Sequence, residues 1–210
     1  MSVENILVLK NYRINDHSKW YGDRTQEHNL IENYKAMEGL CIESAKRYVQ
    51  DLHRVHVFEG EADNIRDVFK TNFYEIYDLW KEGNNILYTD LDVVFINPAR
   101  YFNRTDYFSM FNYTDPRSTE DDHYDIDIDH FFNCGIRYYP ANMSHEIWDI
   151  GFEMLENWNP ERWDSEQVIY NVMMWSQDIS LHDVYKPKLA YQYLYVDQEQ
   201  ICDDWNGISY

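Results

Sequence analysis

Short apolar runs alternate with amphipathic segments along the first half of the chain. Two of these runs predict strands, at 6–9 and 86–88, and the second is bounded by turn signals as a buried strand would be. Residues 55–58 alternate between apolar and polar, which predicts a further strand. Apolar residues spaced three and four apart predict one helix that begins near Asp23 or Thr25 and a second that Asp63 caps and Gly83 ends. Strand–helix alternation of this kind predicts a mostly parallel sheet flanked by helices.

The second half of the chain continues the pattern less regularly. Strand candidates lie at 107–111, 131–140 and 191–195, and helices are predicted from Ile147 to Trp158 and from Asp164 onward. The segment 113–129 is polar and acidic, which predicts a mobile, solvated loop that could act as a lid. An EF-hand starting at Asp125 is excluded, because its sixth position is His130 and its twelfth is Ile136.

Two acidic residues follow the third predicted strand. Asp90 and Asp92 lie between the apolar run 86–88 and a second apolar run, 93–96. Carboxylates pinned between apolar runs are costly to bury unless a cation is near, and their oxygens suit Mg²⁺ or Mn²⁺. Ligands of such sheets bind beyond the carboxyl ends of the strands, so this pair is a candidate metal site. The alternative is a solvated loop that happens to carry two acids.

The net charge of the chain restricts the kinds of molecule that it can bind. The formal net charge is −20, from 18 Lys and Arg against 38 Asp and Glu. Such a chain should repel nucleic acid and anionic membranes, and a phosphate-bearing ligand would need a metal ion to supply positive charge. Neither a G-x-G-x-x-G nor a Walker sequence occurs, so the sequence supports neither a Rossmann dinucleotide site nor a P-loop.

Cysteine usage and the N-terminus indicate the compartment. Cys41, Cys134 and Cys202 are odd in number and lack C-x-x-C spacing, which favours a reducing environment. The apolar run 6–9 is too short for a signal peptide or a membrane span. We therefore expect a cytoplasmic protein without membrane insertion.

Three segments resemble motifs of GT-A-fold glycosyltransferases, which use nucleotide sugars, and they look most like the retaining branch. Residues 85–98 resemble the DxD segment, residues 132–136 the Asn-(small)-Gly strand, and residues 163–171 the (Asp/Glu)-Gln-x-x-x-Asn helix start. Their order and spacing give the match its specificity. The resemblance implies a GT-A fold, with a central, mostly parallel mixed sheet flanked by helices.

The resemblance also concerns the extent of the chain. It implies that 1–210 is a single glycosyltransferase domain, which we expect to be part of a longer chain. Length, acidity and the missing signal peptide are similar to those of the N-terminal domains of chlorovirus glycosyltransferases that modify capsid protein. That similarity would place the protein in a host cytoplasm.

The resemblance implies a UDP-sugar donor, a glycan or protein-linked glycan acceptor, and a Mn²⁺ or Mg²⁺ ion. Asp92 would ligate the metal, and Asp90 would bridge the metal and the ribose. His182, followed by Lys186-Pro187, resembles a C-terminal segment that supplies a third metal ligand and a diphosphate contact. The glycine of that segment is missing here, so a structural role for His182 remains an alternative.

Further roles follow from the same resemblance. Lys10, Asn11 and Tyr12 would border the nucleotide base, and Lys70 is a candidate for the diphosphate, unless it is simply a solvated helix lysine. Around the donor sugar, Asn133 would face the ring. Gln167 would lie near the anomeric carbon, with Glu166 beside it.

Two other functions compete with this interpretation. Asp90-Leu-Asp-Val-Val also fits the nucleophile loop of haloacid-dehalogenase-like phosphatases, although that loop normally follows the first strand. Abundant tyrosine and tryptophan would also suit a noncatalytic carbohydrate-binding module. Within the transferase interpretation we expect retention of configuration, while acids within 121–129 could instead supply the base of an inverting enzyme.

Overall fold

In a computed structural model the chain is described over the following ranges: 3–14, 27–63, 65–96, 98, 101–103, 107–110, 134–158, 166–177 and 190–192. The sequence predictions for the segment 113–129 and for Asn133, His182 and Lys186 fall outside these residues.

Strands and helices alternate from the N-terminus, as the hydrophobic pattern predicts. The strands are β1 Asn5–Ile14, β2 Arg54–Ala62, β3 Asn85–Thr89, β4 Val93–Phe95, β5 Ser109–Met110, β6 Ile136–Tyr139 and β7 Ala190–Gln192. The helices are α1 Glu27–Tyr48, α2 Ile65–Lys81, α3 His145–Glu156 and α4 Gln167–Trp175, with a short 3₁₀ turn at Tyr101–Asn103. None of the helices in the described ranges is long and apolar enough to span a membrane.

Five strands form the central sheet in the order β2-β1-β3-β6-β5. β1 pairs in parallel with both β2 and β3, whereas β6 is antiparallel to both β3 and β5. Four strands therefore run in one direction and β6 runs against them, which confirms the predicted mixed, mostly parallel α/β architecture. A separate two-stranded sheet joins β4 to β7.

The two faces of the sheet carry separate apolar cores. The larger core packs α2, α3 and α4 against one face, with Phe73, Tyr88 and Trp148 among its fully or nearly fully buried side chains. The smaller core packs α1 against the other face through residues such as Cys41 and Ala45. Alternation along each strand assigns its side chains to the two cores in turn.

β1 is longer than its apolar pattern predicts. Its parallel register with β2 continues through Lys10, Asn11 and Tyr12 as far as Ile14, which pairs with Ala62. The polar residues stay extended because the hydrogen-bond ladder with β2 holds their backbone, whatever their side chains prefer. This extension carries three candidate ligand-binding residues beyond the apolar core.

A pair of glycines tests how tightly the larger core is packed. A Cβ atom on Gly151 of α3 would overlap the ring of Phe73 and lie 2.8 Å from Met173 Sδ, whereas one on Gly39, on the exposed side of α1, would meet nothing within 4 Å. We expect Gly151→Ala to lower the free energy of unfolding by about 1–3 kcal/mol through overpacking. Gly39→Ala should raise it by about 0.5–1 kcal/mol, because alanine favours the helix. Urea unfolding monitored by circular dichroism measures both. Equal effects of the two substitutions would contradict this description of the core.

Candidate active site

Four chain segments converge at the edge of the sheet where β1 and β3 end. These segments are the end of β1, the turn after β3, the residues before β6 and the start of α4. The clearest link is an ion pair in which Lys10 Nζ donates to Glu166 Oε1 at 3.3 Å, across 156 residues of sequence. In open α/β sheets ligands bind in the crevice outside the carboxyl ends of the strands, and β1 and β3 are adjacent parallel strands that end at this edge.

The turn that carries Asp90 and Asp92 is fixed by hydrogen bonds. The hydroxyl of Tyr88 donates to Asp90 Oδ1 at 2.8 Å, which orients that carboxylate. The amide of Asp90 donates to the carbonyl of Gly135 at 2.8 Å, and the amide of Val93 donates back to the carbonyl of Asp90 at 3.3 Å. The two acids therefore project from a tight turn at the end of β3, joined by its backbone to the residue before β6.

A buried cysteine lies beneath this turn on the α1 side. Cys41 Sγ is 3.4 Å from Thr89 Oγ1. Burial raises the pKa of the Cys41 thiol to about 12, with smaller contributions from the carboxylates of Asp92 and Asp90. Cys41 is therefore a neutral packing residue rather than a thiolate ligand.

Glu166 and Lys10 are both largely removed from water. Their side chains are 11% and 15% exposed, and Lys10 Nζ also lies 4.6 Å from the centre of the Phe69 ring. Glu166 occupies the N-cap position of α4 but its side chain makes no capping hydrogen bond. Burial raises the pKa of the Glu166 carboxyl, against the opposing effects of Lys10 and Arg137 and with a contribution from Asp90.

The first residue of α4 connects the helix to the segment before β6. Gln167 Oε1 accepts a hydrogen bond from the backbone amide of Cys134 at 3.1 Å. Asn171, one turn further on and fully buried, donates through Nδ2 to the carbonyl of Gln167 at 2.8 Å. The structure therefore brings together the described parts of two sequence motifs, the strand motif at 132–136 and the helix-start motif at 163–171.

Acidic residues on the flanking helices hold the end of β1. Asn11 Nδ2 donates to Glu38 Oε2 of α1 at 2.6 Å. The hydroxyl of Tyr12 contacts both carboxylate oxygens of Glu75 on α2, at 2.8 and 2.9 Å. The Tyr12 ring also covers Gly60, where an added Cβ would lie 2.6 Å from it. Lys70 is exposed on α2, and within the described residues it makes no ion pair with this group.

Asp90 and Asp92 can contribute to a metal site but do not complete one by themselves. No group of three or more His, Cys, Asp or Glu side chains suited to a metal ion occurs within the described ranges. Two carboxylates from one tight turn fit hard cations that keep several water or substrate ligands, as Mg²⁺ does. The donor set therefore fits a divalent ion that a ligand's phosphates help to bind.

Several residues at the site had not been predicted from sequence. Tyr88, Glu38 and Glu75 orient the predicted residues, and no sequence pattern distinguishes them from other residues on strands and helices. The sequence does contain a signal for Arg137, because a charged residue between Ile136 and Tyr138 interrupts an otherwise apolar strand, and charged residues are seldom buried there without a partner.

Known folds give an independent comparison. No family model and no curated protein matches the chain. Among solved structures, the galactosyltransferase LgtC, in complex with donor and acceptor sugar analogues, is similar at a TM-score of 0.54. The two proteins are 13% identical, over 90% of this chain and 86% of that one. The chain has a GT-A glycosyltransferase fold. A structure of an LgtC active-site mutant, in which glutamate replaces glutamine, is similar at a TM-score of 0.50 with 12% identity and the same coverage.

This fold bears on the competing functions. In the GT-A arrangement the Asp90-x-Asp92 turn follows the third strand, at the centre of the sheet. The haloacid-dehalogenase loop would follow the first strand instead, and β1 carries no acidic residue as far as its end at Ile14. The Asp90-x-Asp92 turn therefore does not lie where that loop would place it.

Glu166→Gln should stabilise the protein at neutral pH. Folding raises the pKa of Glu166, so the folded state holds this proton more tightly than the unfolded chain. The contribution of the Glu166 carboxyl to the free energy of unfolding therefore falls as the pH rises from its unfolded pKa of about 4.3 through its raised folded pKa. Glutamine does not titrate, so its free energy of unfolding lacks this pH-dependent loss. Glu166→Gln should therefore be more stable than the wild type at about pH 8, and the difference should shrink toward about pH 4, as urea unfolding would show.

A matched control is Glu153→Gln on the exposed side of α3, which also removes one acidic charge. It should show no comparable pH-dependent advantage. A Glu166→Gln advantage that stays constant across this pH range would contradict the role assigned to burial.

Proposed function

We propose that this protein is a metal-dependent glycosyltransferase that moves a sugar from a UDP-sugar donor to a glycan or protein-linked glycan acceptor. The observation that carries the proposal is the convergence of the Asp90-x-Asp92 turn, the Lys10 end of β1 and the Glu166-Gln167 start of α4. It occurs at the ligand-binding edge of a GT-A fold. The two solved structures described above are of the galactosyltransferase LgtC, which supports a sugar-transfer reaction.

A divalent cation fits the acidic end of this site. Asp92 would bind the ion and Asp90 would bridge it to the ribose, with the Tyr88 hydroxyl holding the Asp90 carboxylate in orientation. His182 is the proposed third ligand. Bound Mn²⁺ or Mg²⁺ would act as a Lewis acid for the departing diphosphate.

The remaining cations and polar residues suit the nucleotide. Asn11 and Tyr12, held by Glu38 and Glu75, would border the base. Lys10 would border the base together with them, on the side of the site where Glu166 lies. Lys70 and Lys186 are proposed diphosphate contacts.

The start of α4 would receive the donor sugar. The hydrogen bond from the Cys134 amide holds Gln167 against the residue that follows Asn133 in the sequence. We propose that Asn133 faces the sugar ring. An amide is a poor nucleophile, so Gln167 suits a same-face route in which it stabilises an oxocarbenium-like transition state. Glu166, adjacent and largely buried, is the residue that could instead act as a covalent nucleophile.

The proposed activity has a direct test. With Mn²⁺, we expect the protein to release UDP from one member of a panel of UDP-sugars, and EDTA should abolish this release. Asp92→Ala should remove the metal dependence and the activity while the fold survives, because losing one acid relieves repulsion in the metal-free site. Asp78→Ala, which removes an exposed acid on α2, is the matched control and should leave the activity intact.

The same assay separates the alternatives. Hydrolysis of an aryl phosphate without UDP release would favour the phosphatase instead. Thermal stabilisation by glycans, with no turnover of any sugar nucleotide, would favour a noncatalytic carbohydrate-binding module. UDP release that persists undiminished in EDTA would refute the metal requirement.

Retention of the donor's anomeric configuration is the expected stereochemistry. Gln167→Ala should lower kcat far more than it weakens donor binding, because its contact would matter mainly in the transition state. NMR of the first-formed product reads the configuration directly. A product of opposite configuration would overturn the assignment and favour an inverting base among the acids of 121–129.

A further inference from the structure

A buried arginine lies one tyrosine ring away from the Asp90-x-Asp92 turn. Arg137 is 0% exposed, on the strand that pairs with β3. Among the residues that the structure describes, none forms a hydrogen bond with its Nε, Nη1 or Nη2 atoms. Buried polar groups are nearly always hydrogen-bonded, and a buried cation without acceptors is costly. The contacts that Arg137 does make should therefore explain its presence in the core.

Two tyrosine rings enclose the guanidinium. Arg137 Cζ lies 3.8 Å from the centre of the Tyr88 ring and 3.7 Å from the centre of the Tyr170 ring. Tyr88 is its register partner on β3, and Tyr170 lies on α4. Tyr88 is 0% exposed and Tyr170 is 1% exposed. Attraction between the cation and the rings offsets part of the cost of burial, and the close packing prevents either ring from shifting while the guanidinium stays in place.

The Tyr88 ring connects this packing to the turn after β3. Its hydroxyl donates to Asp90 Oδ1 at 2.8 Å. The hydroxyl oxygen is fixed to the ring, so the position of the ring decides where the donor lies relative to the carboxylate. A positive charge against the ring also polarises the phenol, which strengthens its O–H group as a donor. Arg137 therefore supports the hydrogen bond to Asp90 both by packing and by charge.

The Tyr170 ring connects the same guanidinium to the start of α4. Tyr170 lies one turn after Gln167, and the adjacent Asn171 donates through Nδ2 to the carbonyl of Gln167 at 2.8 Å. The planar guanidinium thus fills the space between β3 and α4 and sets their spacing behind the site. Lysine could not replace it, because an ammonium group lacks the flat shape that contacts two rings at once.

We propose that Arg137 is a positioning residue for metal binding: it holds the Tyr88 ring so that the Tyr88 hydroxyl orients the Asp90 carboxylate toward a divalent cation. The role of Asp90 as a metal ligand rests on the proposed transferase function. Arg137 acts through Tyr88, which distinguishes it from the residues that would contact the ion or the donor directly.

Proton NMR of the Tyr88 hydroxyl tests this support without ligand or activity. A buried hydroxyl that is bonded to a carboxylate should exchange slowly with water, and its resonance is identified by its absence in Tyr88→Phe. In Arg137→Met, which removes the charge and the flat shape, the exchange rate should rise at least about fivefold as the hydrogen bond weakens. Arg137→Gln serves as the second variant if the methionine protein does not fold. A hydroxyl that exchanges too fast to observe in the wild type would contradict the fixed hydrogen bond.

Titration of UDP into the protein, once with Mn²⁺ and once with EDTA, tests the consequence for metal binding. The ratio of the two affinities isolates the contribution of the ion. Loss of a residue that orients a metal ligand should lower this ratio about tenfold, in Tyr88→Phe and in Arg137→Met alike. In the Tyr88→Phe background, Arg137→Met should change the ratio by less than about twofold, because the hydroxyl through which it acts is gone.

Met174→Ala is the packing control, because it opens a cavity in the same core without changing any charge. It should destabilise the protein and leave both the hydroxyl exchange rate and the affinity ratio in place. Unchanged hydroxyl exchange in the neutral Arg137 variants, or equal effects in Met174→Ala, would overturn the proposed role of Arg137. So would an Arg137→Met loss that is as large in the Tyr88→Phe background as in the wild type.

Failure of the proposed function gives a different result. A wild-type protein that binds UDP equally well in Mn²⁺ and in EDTA would refute the metal-dependent transferase. The hydroxyl exchange rates of the Arg137 variants would then still decide whether Arg137 holds Tyr88 against Asp90.

Discussion

The ion pair between Lys10 and Glu166 is the contact on which the site depends. It joins the second half of β1 to the start of α4 across most of the described chain, at a depth where neither charge is well solvated. An isolated buried charge would be costly, so each partner holds the other in place. Because the Glu166 side chain faces Lys10 and not its own helix terminus, the start of α4 is shaped for this contact at the expense of a capping bond.

The sheet determines which residues can share this edge. β1 and β3 are parallel neighbours, so their carboxyl ends deliver Lys10 and Asp90 to the same side. β6 runs the opposite way, and it therefore brings the residues before its first position, Cys134 and Gly135, to that same edge. Because β6 is antiparallel to its neighbour β3, its first residues lie at the same edge as the last residues of β1 and β3. A hydrogen bond from the Asp90 amide to the Gly135 carbonyl joins the turn after β3 to the residue before β6.

The sequence predicted most of the fold because its strong signals are local. Apolar runs and helical spacing located β1 to β3 and α2, and the left-handed conformation at Gly83 ends α2 as predicted. The extension of β1 to Ile14 was missed, since its cause is pairing with a strand far along the chain. Arg137 was missed for a similar reason: the rings that hold it come from β3 and α4, and only the folded register brings them together.

The overall acidity of the chain constrains how a diphosphate could approach this site. A protein with a formal charge of −20 repels a free sugar nucleotide at long range, most strongly at low ionic strength. A divalent cation bound to the diphosphate would remove most of the ligand's charge, so the metal complex of the proposed donor would meet a much smaller barrier than the free nucleotide. Lys10 cannot replace the metal in this respect, because Glu166 already compensates its charge within the site. An acidic chain of this kind therefore gains from a cation that arrives with the nucleotide, and the carboxylates of Asp90 and Asp92, projecting from the turn after β3, are suited to receive it.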